Sequence, residues 1–191
     1  MSRCNRFSEP PPVLGLGAST AAVFHSPASA LAELTFGGEF MEIRIDDLRG
    51  PEIVALLTEH LECMAQVSPP ESRHALDLEQ LRQPGITFWT VWDDRQLVGS
   101  GALKEIDLSH GEVKSMRTAK THLRQGVAST LLQHIIAEAK RRGYRRLSLE
   151  TGSVPYFEPA RSLYRKAGFK ACEAFVGYRP DPNSNFFTRE I

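Results

Sequence analysis

Apolar and polar residues follow two different periods along this chain, and the period changes at turn signals. Alternation predicts strands at 41–46, 87–92, 96–103, 112–118, 146–151, 170–175 and 185–190. Apolar residues at every third or fourth position predict four helices. The first begins at Pro51, the second covers 75–83, the third follows Gly126 and the fourth covers 156–167. Proline or glycine ends most of these helices, as is usual for both residues. The predicted order is β-αα-βββ-α-β-α-ββ.

This order of elements predicts an α/β fold with one mixed sheet and helices on both faces. The strands at 112–118 and 146–151 are joined through a helix, so they should be parallel with a right-handed crossover. Asp93–Arg95 should form a hairpin loop between antiparallel neighbours. Residues 41–191 are enough for one domain with a sizeable core.

Residues 1–40 show neither period. They contain the triple proline Pro10–Pro12 and a run rich in Ser, Ala and Pro, which is a composition typical of disordered segments. A secretory leader is an alternative, since Arg3 and Arg6 precede a mildly apolar stretch, but the prolines and glycines in that stretch disfavour it. We therefore expect residues 1–40 to be a disordered N-terminal extension.

Composition and charge exclude several kinds of partner. The formal net charge is zero, so the chain has no overall nucleic-acid-binding signature, and no stretch approaches the ~20 apolar residues of a membrane span. The three cysteines are widely spaced, which suits a reducing compartment such as the cytoplasm. Neither the cysteines nor the six histidines have metal-ligand spacing. We expect a cytoplasmic protein without a metal, nucleic-acid or membrane partner.

The turn before the helix at Gly126 carries the first chemical signal. The free N–H groups of a helix's first turn, together with the helix dipole, favour bound anions such as phosphates. Gly126 allows an anion to approach the backbone, and the small Ala128 keeps the first turn uncrowded. Seven Lys or Arg against one Glu in residues 120–146 also favour an anion there. Taken alone, this pattern is more typical of a helix that simply packs on a sheet.

Two segments resemble motifs of the GNAT superfamily of acyl-CoA-dependent N-acyltransferases. Leu123–Ala128 resembles the phosphate-binding motif Gln/Arg-x-x-Gly-x-Gly/Ala, although Leu123 departs from its first position. Ala160–Phe169 resembles the C-terminal motif Ala-x-x-Leu/Phe-Tyr-x-Lys/Arg-x-Gly-Phe, although Phe157 replaces an Asn that often contacts the cofactor. The resemblance covers about residues 41–175. It implies a GNAT-like fold in which two central parallel strands splay apart around the pantetheine.

The resemblance also implies acetyl-CoA as co-substrate and no metal. In the family, the backbone of the glycine turn holds the pyrophosphate, and the preceding strand contacts the pantetheine. The residues that we expect to bind the cofactor are Met116, Arg117, Thr118, Arg124, Gln125, Gly126, Val127, Ala128, Ser129, Thr130 and Tyr164.

Acyl transfer from a thioester to an amine needs a neutral amine, a polarised carbonyl and a proton for the departing thiolate. The family's usual general acid is a tyrosine of the C-terminal motif, which falls on Tyr164; the alternative is a core aromatic whose hydroxyl is bonded elsewhere. Glu112 and Glu150 lie on the strands beside the expected gap and are candidate bases. Lys114 shares a face with Glu112, so a structural ion pair is the alternative for that glutamate.

The resemblance therefore implies an N-acetyltransferase that moves an acetyl group from acetyl-CoA to a primary amine of a small molecule or amino acid. Two alternatives are a non-catalytic acyl-CoA-binding regulatory module and an acetyltransferase of protein N-termini or lysines. The acceptor pocket should be built by residues 50–90 and the C-terminal tail, which carry no readable motif. A homodimer is left open.

Overall fold

The computed structural model describes residues 32–36, 39–72 and 74–191. The strands are β1 (Ala32–Phe36), β2 (Glu39–Ile45), β3 (Ile86–Asp93), β4 (Gln96–Asp107), β5 (His110–Thr118), β6 (Arg146–Gly152), β7 (Lys170–Cys172) and β8 (Ser184–Glu190). The helices are α1 (Pro51–Val67), α2 (Leu78–Leu81), α3 (Val127–Arg141) and α4 (Glu158–Lys166). No helix in these ranges is long and apolar enough to cross a bilayer.

The strands form one eight-stranded sheet in the order β1-β2-β3-β4-β5-β6-β8-β7. Neighbouring strands are antiparallel except for β5 and β6, which are parallel and joined through α3. The predicted α/β fold with one mixed sheet and a central parallel pair is therefore confirmed. The parallel pair lies in the interior of the sheet, where α3 and α4 follow its two strands.

The sheet begins earlier in the chain than the sequence predicted. β1 pairs with β2 from Ala32↔Ile43 to Phe36↔Glu39. Residues 32–36 and 39–40 of the segment that we expected to be disordered thus belong to strands, and the rest of that segment lies outside the described residues. The physical reason is strand pairing. β1 hydrogen-bonds along the outer edge of β2, and this pairing leaves no mark in the local composition of the segment.

The sheet separates two apolar clusters. On one face, α3 buries the stripe predicted for it, which consists of Val127, Leu131, Leu132, Ile135, Ile136 and Ala139. On the other face, α1 and α2 cover a second cluster that contains Ile53, Leu56, Leu57, Leu81 and Phe88. The adjacent β4 residues Ala102 and Leu103 enter opposite clusters, as alternation along a strand requires.

Two glycines of β4 bring α3 close to the sheet. A Cβ at Gly99 would lie 2.6 Å from Cγ1 of Val127, and one at Gly101 would lie 2.6 Å from the sulfur of Met116 and 3.0 Å from Cδ2 of Leu131. Both positions are therefore packing glycines. Because the first residue of α3 rests on β4, the turn before this helix is held beside the end of β5.

Candidate active site

The parallel strands β5 and β6 pair only at their first positions and then separate. Their pairing runs from His110↔Arg146 to Glu112↔Ser148, although both strands continue beyond it. Where they part, Ser115 has a φ of 53°, and the β4–β5 register shifts opposite it. Such a bulge bends a strand and interrupts its hydrogen-bond ladder. The predicted splayed pair is present, and it leaves a gap in the middle of the sheet.

A cavity of ≈120 Å³ lies in this gap. Its walls come from α1, the loop after α1, β5, β6 and α4, and the residues that line it include His60, Met64, Ser72, His74, Val113, Met116, Glu150, Phe157 and Tyr164. A wider surface depression of ≈790 Å³ lies between α1 and the β3–β4 hairpin, but it shares no lining residue with the gap. We place the site in the smaller cavity because two predicted catalytic residues, Glu150 and Tyr164, meet there.

Glu150 is a half-buried carboxylic acid on the wall of this cavity. The Ser184 hydroxyl donates a hydrogen bond of 2.7 Å to its Oε1 atom. Burial raises the pKa of the Glu150 carboxyl, and this effect outweighs the lowering by Ser184, His74 and Lys114. A carboxyl with a raised pKa is suited to taking up and releasing a proton near neutral pH.

Tyr164 extends from α4 into the same cavity and is 6% exposed. Its ring meets Phe169 edge to face, with 6.0 Å between the centroids. Burial, and then the charge of Glu150, raise the pKa of the Tyr164 hydroxyl, which therefore stays protonated. No hydrogen bond from the described part of the chain reaches that hydroxyl. A neutral phenol that has no partner among these residues is available as a proton donor to a ligand.

Glu112 belongs to a separate buried network. Its carboxylate accepts hydrogen bonds from Lys114 Nζ at 3.0 Å and from the Tyr178 hydroxyl, and Lys114 Nζ also donates to Tyr178 at 2.6 Å. The ion pair between Lys114 and Glu112, which is the structural alternative to a catalytic Glu112, is thus present, with both side chains almost fully buried. Glu112 lies on an adjoining outer groove and does not line the cavity that contains Tyr164.

The turn before α3 has the geometry of an anion site. Gly126 has a φ of 87°, and among the described residues nothing lies within 4 Å of the place that its Cβ would occupy. The first helical hydrogen bond runs from Thr130 N to Gly126 O, so the N–H groups of Val127, Ala128 and Ser129 have no helical partner. No described side chain caps the helix. Three free donors and the positive end of the dipole therefore meet at an open turn.

Some of the other residues predicted to bind the cofactor present a side chain at the site, and others present only their backbone. Met116 lines the cavity, and Arg124 and Gln125 are exposed on the turn. The Val127 side chain is buried under α3, so this residue offers only its backbone.

Arg117 and Thr118 are held by their neighbours. Arg117 donates hydrogen bonds to Glu59 of α1 at 2.8 Å and to the Tyr156 hydroxyl at 3.4 Å. Thr118 is paired with Gly99 of β4. The Arg117 side chain is therefore engaged with α1, and the free backbone of this segment is the part that faces the gap.

The sequence profile of the acetyltransferase (GNAT) family matches residues 53–169. This span includes the splayed strands, the glycine turn and α4. The chain belongs to the GNAT acetyltransferase family. It is therefore an acyltransferase, as the two motifs predicted.

Relatives and solved structures agree with this assignment. The chain is 60% identical over 151 residues to the protein named "Uncharacterized N-acetyltransferase YsnE" of Bacillus subtilis. The aligned region covers 79% of this chain and 100% of that protein. The chain is 53% identical to a protein similarly named, YedL of Escherichia coli, over 76% of this chain and 92% of that one. The PaiA N-acetyltransferase of Thermoplasma acidophilum, solved in complex with coenzyme A, superposes with a TM-score of 0.64 over 79% of this chain and 99% of that one, at 19% identity.

Two histidines of this GNAT domain were not predicted as site residues. His60 and His74 both line the cavity, and His60 Nδ1 is buried without a partner among the described residues. Burial, helped by the charge of Arg117, lowers the pKa of His60 to about 4, so its imidazole is neutral at physiological pH. One signal was present in the sequence, because His60 stands four residues from both Leu56 and Met64, on the face that α1 turns inward.

In the described part of the chain, no group of three or more His, Cys, Asp or Glu side chains is arranged to hold a metal ion.

Proposed function

We propose that this acyltransferase moves the acetyl group of acetyl-CoA to a primary amine of a small molecule or an amino acid. The observation that carries the proposal is the cavity in the β5–β6 gap, where Glu150 and the unpaired Tyr164 hydroxyl meet. These two groups supply the two proton transfers that amide formation from a thioester requires.

The residues present fit acetyl-CoA as substrate. The free N–H groups of Val127, Ala128 and Ser129 suit the pyrophosphate, and the open space beside Gly126 leaves room for it. The pantetheine would then run along the unpaired edge of β5 past Met116 toward the cavity. PaiA, which has the same fold, was solved with coenzyme A bound, and this supports the same use of the gap here.

The reaction can be written with the residues of the cavity. The Glu150 carboxylate takes a proton from the acceptor ammonium, and the neutral nitrogen attacks the thioester carbonyl carbon. The new C–N bond forms as the C–S bond breaks, and the Tyr164 hydroxyl gives its proton to the departing thiolate. The nitrogen, which is positively charged after the attack, then returns a proton to the Tyr164 oxygen, and Glu150 releases its proton to solvent. Glu112 remains a second candidate base, but its carboxylate already accepts hydrogen bonds from Lys114 and Tyr178.

Positioning contributes to the rate beside the two proton transfers. A gap that holds the thioester next to the amine turns a bimolecular step into a nearly unimolecular one, an effect of about 7–11 kcal/mol in favourable cases.

The proposal is tested by following thiol release from acetyl-CoA in the presence of amines, amino acids and peptides, with the acetylated product identified by mass spectrometry. Release with small amines or amino acids supports the proposal. Release only with peptides would assign the chain to protein acetylation instead. Tight binding of acetyl-CoA without release for any acceptor would assign it to the non-catalytic regulatory modules.

A further inference from the structure

An outer groove of ≈270 Å³ continues from the catalytic cavity across the same face of the sheet. The cavity and the groove adjoin each other, because His74, Ala75 and Lys114 belong to the walls of both. The rest of the groove includes Leu76, Gln80, Lys104, Glu112, Val176 and Tyr178. An acceptor whose amine lies in the cavity would extend into this groove.

The strand register puts the charged residues of the cavity and the groove on one face. Lys104 of β4 is opposite Glu112 of β5, and Glu112 is opposite Ser148 of β6, two residues before Glu150. Opposed residues, and residues two apart on a strand, point to the same side of a sheet. With strands ~4.8 Å apart and a rise of ~3.3 Å per residue, the Cα atoms of Lys104 and Glu150 are about 12 Å apart.

The groove has an excess of positive charge. It is lined by two lysines, Lys104 and Lys114, against one carboxylate, Glu112. The Lys114 ammonium is bonded to Glu112 and to Tyr178. Lys104 is half-buried, and its ammonium makes no ion pair with any described residue. A partly desolvated cation without a partner favours an anionic group of a ligand.

We propose that the acceptor carries a carboxylate, and that Lys104 binds this carboxylate while the amine lies beside Glu150 and Tyr164. The inference rests on the proposed acetyltransferase function and names its substrate class. Because Lys104 and Glu150 stand on strands separated by β5, the acceptors to test first are ω-amino acids, in which several carbon atoms separate the amine from the carboxylate. Leu76 and Val176 in the groove wall suit the carbon chain between the two groups.

The test compares β-alanine and its longer ω-amino homologues, each with the alkylamine of the same chain length, by kcat/KM from thiol release. For the best chain length, the acid should exceed its alkylamine by roughly tenfold or more, as for a hydrogen bond to a charged group. In Lys104→Met the two members of each pair should react equally, and Lys104→Arg should keep part of the preference. Lys170→Met changes an exposed lysine of β7 and is the matched control, which should keep the full preference.

Equal rates for the acids and the alkylamines in the unmodified enzyme would overturn the inference while the acetyltransferase function stands. A preference that survives in Lys104→Met would overturn it too. If no amine is acetylated, the proposed function fails, and calorimetry with CoA present decides the inference separately. N-acetylated ω-amino acids should bind more tightly than the matching N-alkylacetamides in a Lys104-dependent way, and equal affinities would refute the subsite.

Discussion

Tyr164→Phe should lower activity and Tyr144→Phe should lower stability, although each removes one hydroxyl from a buried tyrosine. Tyr164 lines the cavity, and no described residue hydrogen-bonds to its hydroxyl. Tyr144 is 5% exposed, lies under the β4–β5 hairpin and donates a 2.8 Å hydrogen bond to Glu105 Oε2. Burial raises the pKa of Tyr144 to about 12, so it stays a donor at neutral pH.

The magnitudes follow from these contacts. Tyr164→Phe breaks no hydrogen bond to any described residue, so its free energy of unfolding should change by less than about 0.5 kcal/mol. Loss of a general acid should lower kcat by ~10²–10⁴-fold, or about 3–5 kcal/mol in activation free energy. Tyr144→Phe breaks a hydrogen bond to Glu105, whose exposed carboxylate is screened by solvent, and should lower the free energy of unfolding by about 1 kcal/mol, with kcat unchanged.

Urea unfolding gives the free energies, and thiol release at saturating acetyl-CoA gives kcat. The affinity of Tyr164→Phe for acetyl-CoA should be nearly unchanged, because a general acid acts mainly in the transition state. Full activity in Tyr164→Phe would refute the acid assignment and leave water to protonate the thiolate. Equal losses of activity in both variants would point instead to a packing effect.

Three further predictions concern stability and its dependence on pH. Because burial raises the pKa of Glu150, its ionised form destabilises the fold above pH 4.5. Glu150→Gln should therefore gain melting temperature relative to the unmodified protein as the pH rises, and a constant difference would contradict this. The pKa of His60 falls from 6.5 to about 4 in the fold, so acidification between these values should remove about 3 kcal/mol of unfolding free energy. His60→Gln should lose much less, and equal acid sensitivity would rule out a buried neutral imidazole. A chain that begins at Met41 lacks β1 and should melt at a lower temperature than the full chain; identical melting would show that β1 adds no stability.

Local periodicity predicted those elements whose ends are marked by the chain itself. α1 begins at Pro51, where the sequence placed it. The helix predicted over 75–83 is shorter in the structure, where α2 covers only Leu78–Leu81. Its start is fixed by a capping box formed by Asp77 and Gln80. The strand expected over 170–175 ends at Cys172, where its pairing with β8 stops. Boundaries that depend on pairing partners are thus the ones that periodicity misses.

The candidate site was predictable only where a family motif marks it. The C-terminal motif located Tyr164, and the strand pattern located Glu150. Of the two partners of Glu112, the sequence predicted Lys114, which lies two residues along the same strand. It did not predict Tyr178, which is 66 residues away in the sequence. Helical spacing placed His60 on the inward face of α1, but it gave no indication that this face covers the gap. Contacts between distant segments follow from the packing of whole elements, which no single local pattern encodes.

Binding of acetyl-CoA to Gly126→Glu and Gly143→Glu tests most directly the claim that the glycine turn and the β5–β6 gap hold this substrate. The two glycines flank opposite ends of α3, both have positive φ, and each has open space where a side chain would start. Both variants therefore place a side chain at a similar positive φ, but only Gly126→Glu places a negative charge where the pyrophosphate would lie. By calorimetry, the affinity should fall at least roughly tenfold, or about 1.4 kcal/mol, in folded Gly126→Glu and stay unchanged in Gly143→Glu. Unchanged affinity in folded Gly126→Glu would contradict the account.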